Sequence, residues 1–249
     1  MKKIATTVLL AIAVTGFFAC KKNSKDEPAQ QQQQQQPYKC ATCSATPDAL
    51  PANDASSKGV YKGIIIGSTG TVKFSVMNGT NDIQATLVID GQTVTLTSSV
   101  SWTNGQPYVA PFTGTLNGQQ VSITFSVTVD GGSPTITASN IPGHPNAVFT
   151  LVKETSNALV ECYEGTYNTT KPETGTFNIV LSRKLGKWGG IARKDNSSSS
   201  EDVSGTVDVN GVMKDDKGNT VANLSGEEIS GSSKDSDGNT INVSGKRTL

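Results

Sequence analysis

From Lys58 onward the chain alternates between apolar and polar positions. Val72, Phe74 and Val76 fall on one side with Lys73 and Ser75 on the other, and Ile83, Ala85, Leu87 and Ile89 repeat the spacing. Val121, Ile123, Phe125, Val127 and Val129 interleave with Ser122, Thr124, Ser126 and Thr128. A period of two carried by β-branched residues marks half-buried antiparallel strands. The alternation breaks at Asn78-Gly79, Asp90-Gly91, Asn104-Gly105, Asn117-Gly118 and Asp130-Gly131. Such dipeptides accept the positive φ that tight hairpin turns require. With Gly67 to Gly70 and Pro142 to Pro145 they make seven turns, which predicts eight strands between Lys58 and Glu154.

The second half repeats the count. Breaks at Asn168 to Gly175, Lys184 to Gly186, Asp195 to Ser200, Asn210-Gly211, Lys217-Gly218, Ser225-Gly226 and Asp237-Gly238 again leave eight short strands. The two halves also begin alike. Tyr61-Lys62-Gly63 precedes the run Gly70 to Val76, and Tyr163-Glu164-Gly165 precedes Gly175 to Leu181, which suggests a diverged internal duplication. The expected fold is all-β: two tandem antiparallel meander modules of about eight short strands each, residues 58–157 and 158–249, as small barrels or barrel-like sandwiches. The modules are expected to be separable, with no strand of one half entering the sheet of the other.

Composition agrees. Only 35% of the 249 residues are hydrophobic and 6% aromatic, with 25 glycines, a profile unlike a helical bundle or a multi-span helical membrane protein. Twenty-one basic residues balance 21 acidic ones, so no global field draws nucleic acid. The charge is unevenly spread: residues 58–155 hold four lysines and four acids, whereas residues 161–249 hold eleven basic and thirteen acidic side chains. A neutral, Thr- and Ser-coated first module is compatible with a glycan or protein ligand.

The first 57 residues lack this pattern. Met1-Lys2-Lys3 is followed by an apolar run of 16 residues, Ile4 to Ala19. That is short of the roughly 20 needed to span a bilayer and suits a secretory signal. It ends in Gly16-Phe17-Phe18-Ala19-Cys20, which resembles the lipobox of bacterial lipoproteins, with Ala19 as the small residue before the cysteine. The charged tract Lys21 to Pro28 resembles the export signal of Bacteroidota-type surface lipoproteins. The resemblance implies that residues 1–19 are a cleaved signal peptide and that Cys20 carries diacylglycerol and a further acyl chain such as palmitate. It further implies an outer-membrane lipoprotein that faces the cell surface, with the membrane as partner through its lipid. Residues 20–57, with an unbroken glutamine run from Gln30 to Gln36 and then Pro37, Pro47 and Pro51, read as a disordered tether.

Candidate chemistry is sparse. Cys40 and Cys43 form a Cys-x-x-Cys motif with neither the helix that a redox pair uses nor the histidine that haem attachment requires. In an oxidising compartment the three thiols Cys40, Cys43 and Cys162 point to a structural disulfide. A bond from Cys40 or Cys43 to Cys162 is preferred slightly over the short Cys40–Cys43 link. The single histidine, His144, leaves no His–His metal pair. Asp235, Asp237 and Asn239 sit in calcium-loop style, but Thr240 and Arg247 replace the Gly and Glu that an EF-hand needs. Trp102 continues the inward set Val94, Leu96 and Val100 and is placed in the core; Tyr108, beside Pro107, is the better surface-binding candidate.

No cofactor, metal ligand set or catalytic constellation emerges. The expected function is a non-catalytic binding or structural role on the cell surface. Two rivals stand beside it: a glycan-active enzyme using two facing carboxylates, and a barrel that carries a small apolar ligand. The state of the module interiors separates them.

Overall fold

The computed structural model describes residues 36–67 and 69–249. The expected signal peptide, Cys20 and the glutamines up to Gln35 lie outside the described residues. Residues 37–249 form one compact unit.

Among the described residues sixteen strands follow one another in the expected places. The first eight are β1 (Gly59–Ile66), β2 (Gly70–Val76), β3 (Ile83–Ile89), β4 (Gln92–Thr97), β5 (Tyr108–Leu116), β6 (Gln119–Val127), β7 (Thr135–Asn140) and β8 (Val148–Glu154). The second eight are β9 (Glu161–Thr169), β10 (Glu173–Ser182), β11 (Lys187–Lys194), β12 (Glu201–Val207), β13 (Val212–Asp215), β14 (Thr220–Ser225), β15 (Glu228–Lys234) and β16 (Thr240–Arg247). Their hairpins are built by the dipeptides that mark them in the sequence. Asn117 and Gly118 take φ of 51° and 78°, and Asp90 and Gly91 take 48° and 74°, the paired positive values of a type I′ turn.

Each half is an antiparallel meander whose last strand returns beside its first. In module two β16 pairs with β9 and closes the barrel; in module one β8 pairs with β1, leaving β7 and β8 as unpaired edges. Among the described residues no strand crosses between the sheets. The two starts are equivalent in register: Gly63 faces Val72 and Tyr61 faces Phe74, as Gly165 faces Phe177 and Tyr163 faces Ile179.

Module one is filled. Tyr61, Phe74, Phe112 and Phe125 meet in its centre, with ring centroids of Phe74 4.5 Å from Phe125 and 4.9 Å from Phe112. Tyr108 belongs to this core rather than to the surface. It opens β5, so its ring continues the inward set Tyr108, Ala110 and Phe112, it is only 3% exposed, and its hydroxyl donates to the Val100 carbonyl at 2.9 Å. Trp102 is half-buried against the same core and donates from Nε1 to Ser57 Oγ at 2.8 Å, while Val100 is exposed.

The modules are not independent bodies. All eight residues of β1 are buried, because one face enters the module-one core and the other packs on module two. Ile64 and Ile66 form an apolar layer with Val160, Cys162, Val180 and Ile191. Two polar groups cross the layer: Asn178 Nδ2 donates to the Ile65 carbonyl, and the Cys162 thiol approaches the Gly63 carbonyl at 3.6 Å.

The expected tether is ordered over its second half. Residues 37–57 run as a strap across both modules, with a short 3-10 turn at Pro51–Asn53. On module two, Tyr38 donates its hydroxyl to the Arg247 carbonyl at 2.8 Å, and Arg247 Nη2 donates to the Ser44 carbonyl at 2.7 Å. On module one, Asp48 lies 3.3 Å from Lys62 and 3.1 Å from Lys73. The strap docks through hydrogen bonds and ion pairs, so it shows no hydrophobic period.

One carboxylate gathers these parts. Glu154, fully buried, accepts from Lys62 Nζ at 2.7 Å, from the Asp48 amide of the strap at 2.6 Å and from the Val160 amide of the inter-module link at 2.9 Å. Removing one partner of a buried ion pair leaves an uncompensated charge, which costs about 3–5 kcal/mol. Glu154→Gln is therefore expected to lose about 3 kcal/mol in urea unfolding, and Lys62→Met with Glu154→Leu to recover only part of it, because the Asp48 and Val160 amides then lack an acceptor. A loss below about 1 kcal/mol would remove Glu154 from this role. Acid should weaken the docking of the strap through Asp48. Partial burial pushes the Asp48 carboxyl up, but Lys62 and Lys73 outweigh it and hold it below its ordinary value. Its contribution is complete above the unfolded value of about 3.9 and is lost as pH falls through the lower folded one.

Candidate functional site

The interior of module two differs from that of module one. Gly165, Gly175, Gly205 and Gly245 each sit under an aromatic ring on its inward face, and Gly165 faces Gly245 where the equivalent Gly63 of module one faces Leu151. A side chain at Gly165 or Gly245 would run into Phe177, one at Gly175 into Tyr167, and one at Gly205 would press on Trp188. The rings therefore lie flat on the barrel wall instead of filling its axis. What remains is a cavity of about 540 Å³, lined by Tyr167, Phe177, Ile179, Trp188, Met213 and Ile229 among others. This lies within the range of about 300–1,000 Å³ that small-molecule sites occupy.

One end is closed. Tyr163, Leu181, Val207 and Leu224 pack together with the cavity-lining residues but do not themselves line the cavity. At the same end Glu161 is held by Arg183 at 2.8 Å and by Arg247 at 3.2 Å, and Arg183 also donates to the Tyr163 hydroxyl at 3.0 Å. Burial, and after it the Glu161 charge, push the Tyr163 phenol far above its ordinary value. The strap reaches the barrel here too, through Cys40 and Tyr38 to the Glu227 and Glu228 carboxylates.

The other end is the mouth. Its residues come from the β9–β10, β11–β12, β13–β14 and β15–β16 connections and the strand ends beside them, including Lys171, Glu201, Asp202, Asp216, Lys217 and Asp237. The calcium-loop-style stretch Asp235 to Asn239 and the similar stretch Asp215 to Asn219 are mouth turns. Asp215 Oδ1 accepts from the amides of Lys217 and Asn219, and Asp235 Oδ1 accepts from those of Asp237 and Asn239. Hydrogen bonds from Asn219 and Asn239 hold these two carboxyls low. Burial, with Glu173 next, pushes the Tyr167 phenol at the mouth up to about 12. Among the described residues no group of three or more His, Cys, Asp or Glu side chains is placed to hold a metal ion.

No protein-family model matches the chain, and no curated protein or solved structure does either. The cavity therefore has to be read from its own residues.

The residues singled out in the sequence do not converge on it. Cys20 lies outside the described residues, and among those described no helix is long and apolar enough to cross a membrane. Tyr108 is in the other module's core. His144 lies 3.5 Å from Asp90 in a smaller polar recess at one end of module one. The preferred link to Cys162 is replaced by a Cys40–Cys43 disulfide, whose Cα atoms are 5.4 Å apart across the Ala41-Thr42 turn. Cys162 is a free thiol buried in the inter-module layer, because β9 turns that side chain toward β1. The buried carboxylates Glu154 and Glu161 are bound by cations. The features that make the cavity, glycines opposite aromatics, are visible in the sequence only once the strand register is known.

Burial pushes the Cys162 thiol up to about 12, so it stays protonated and shielded in the folded chain. Non-reducing peptide mapping is expected to return one Cys40–Cys43 peptide, and a thiol reagent at pH 8 to label Cys162 only after denaturant is added. Rapid labelling of Cys162 in the folded protein, or a mapped bond to it, would contradict the structure.

Proposed function

We propose that this protein is an outer-membrane lipoprotein, held at the cell surface through Cys20, whose second barrel binds a small apolar molecule in its interior. The observation that carries the binding half is the 540 Å³ apolar cavity, closed at the strap end and open at the other. The lipobox-like Gly16 to Cys20 and the charged tract after it support the anchoring half. In this reading module one is the rigid partner. Its interior is packed with side chains, and β1 braces the wall of the binding barrel.

The aromatic lining suits such a ligand. Tyr167, Phe177 and Trp188 present ring faces, and burying apolar ligand surface against them contributes about 25 cal/mol per Å². Trp188 Nε1 is occupied by the Thr206 and Lys214 carbonyls, at 3.1 and 3.2 Å, so the indole offers the ligand its ring rather than a donor.

Two readouts on one variant test both halves. Full-length protein carrying Cys20→Ala should leave the membrane fraction and appear soluble. Titrated with the apolar fluorophore N-phenyl-1-naphthylamine, it should give a saturable emission increase with one site. Adding Ala192→Phe, which projects a ring into the cavity, should weaken that binding at least about tenfold without lowering the melting temperature enough to unfold the barrel. Retention of the Cys20→Ala chain in membranes would end the anchoring half. Probe binding that ignores Ala192→Phe would end the cavity half.

A further inference from the structure

The cavity has a chemical polarity along its axis. Its body is apolar and aromatic, and its floor is sealed by Tyr163, Leu181, Val207 and Leu224. Its mouth is acidic: seven carboxylates and two lysines line it. Four of the seven already have partners. Asp215 and Asp235 hold their own turns, Glu173 pairs with Lys194 at 2.9 Å, and Asp216 accepts from the Ser204 hydroxyl. Among the described residues the carboxylates of the remaining three, Glu201, Asp202 and Asp237, accept no hydrogen bond and form no ion pair, although they line the same cavity as the Tyr167 ring. The negative field they help to set is felt at Tyr167, where, after burial and Glu173, Glu201 is a further cause of the raised phenol.

An apolar tunnel that ends in unpaired carboxylates and an aromatic face is matched by one kind of molecule. The carboxylates attract a positive group, and an aromatic ring face attracts a cation through its quadrupole. We propose that the ligand of the module-two cavity is a cationic amphiphile, with its apolar body inside the barrel and an ammonium-type head held at the mouth between Tyr167 and the carboxylates of Glu201, Asp202 and Asp237. This rests on the cavity reading above and adds the sign of the head group. An anionic amphiphile, such as a fatty acid, is disfavoured by the same carboxylates. The strap meets the opposite end of the barrel, so it leaves the mouth uncovered.

Three competitors of matched chain length separate the outcomes. Decyltrimethylammonium, decanol and decyl sulfate, each below its micelle concentration, would displace N-phenyl-1-naphthylamine from the full-length Cys20→Ala protein. The expected order places the ammonium about tenfold tighter than the alcohol and the sulfate weakest, from a few exposed charge contacts of about 0.2–1 kcal/mol each. Raising the salt to about 1 M should compress the difference, because the screening length falls to about 3 Å. Glu201→Gln, Asp202→Asn and Asp237→Asn together should bring the ammonium-to-alcohol ratio close to one. If the alcohol or the sulfate competes as well as the ammonium in the unaltered mouth, the head-group inference is overturned and the apolar cavity stands. If neither the fluorophore nor any competitor binds, both are overturned. The wild-type mouth decides this without the triple variant, so a variant that misfolds does not rescue the proposal.

Discussion

The Glu154 carboxylate is where three separate stretches of chain are made to agree. It has no exposed surface, and a bare charge there would be prohibitive. It persists because Lys62 neutralises it and two backbone amides, one from the strap and one from the link between modules, occupy its remaining lone pairs. Each donor belongs to a different segment, so the charge is satisfied only when β1, the strap and the Thr155–Val160 connection are all in place. Apolar residues there would spare the buried charges but leave the Asp48 and Val160 amides without an acceptor. What the ionic version adds is a requirement for one mutual arrangement.

That arrangement sets the wall between the modules. β1 spends one face on the Tyr61–Phe74–Phe125 cluster and the other on β9, β10 and β11. A strand buried on both faces is fixed more firmly than one facing water, and it braces the side of module two that holds Val180 and Ile191. The barrel interior behind that wall is under no need to be full. In module one, large rings meet at the axis; in module two, glycines let the rings lie along the wall, and the axis stays open. One topology, repeated with the same register at its start, thus yields a packed body and a receptacle. The division follows from side-chain size at inward positions and not from any change in strand order.

Much of this fold is legible in the residues. Asn-Gly, Asp-Gly and related breaks place every hairpin, since few other dipeptides accept the backbone those turns require, and the period-two runs supply the strands between them. Four features escape such reading for physical reasons. The strap from residue 37 to 57 docks through Asp48, Ser44 and Tyr38, contacts that leave no period in the sequence. Tyr108 looks like a loop residue because Pro107 precedes it, yet it is the first inward position of β5. Cys162 looks like a partner for Cys40 by count alone, whereas strand direction commits it to the apolar layer. The cavity is the least legible, because it depends on which glycine lies across from which ring, a relation set by register between strands. The proposed anchor is the converse case: it rests on the local sequence around Cys20 and owes nothing to the fold.

One barrel is filled and the other open, and the methionines report on both. Met213 lines the cavity and Met77 sits in the β2–β3 turn of module one, the chain's third methionine being Met1. Methyl NMR of selectively labelled methionines in the full-length Cys20→Ala protein, titrated with N-phenyl-1-naphthylamine, therefore reads each module separately. A saturable shift of the Met213 resonance with Met77 unmoved is the predicted result. A Met77 shift equal to that of Met213, or no Met213 shift at saturating probe, would contradict the assignment of ligand binding to the second barrel.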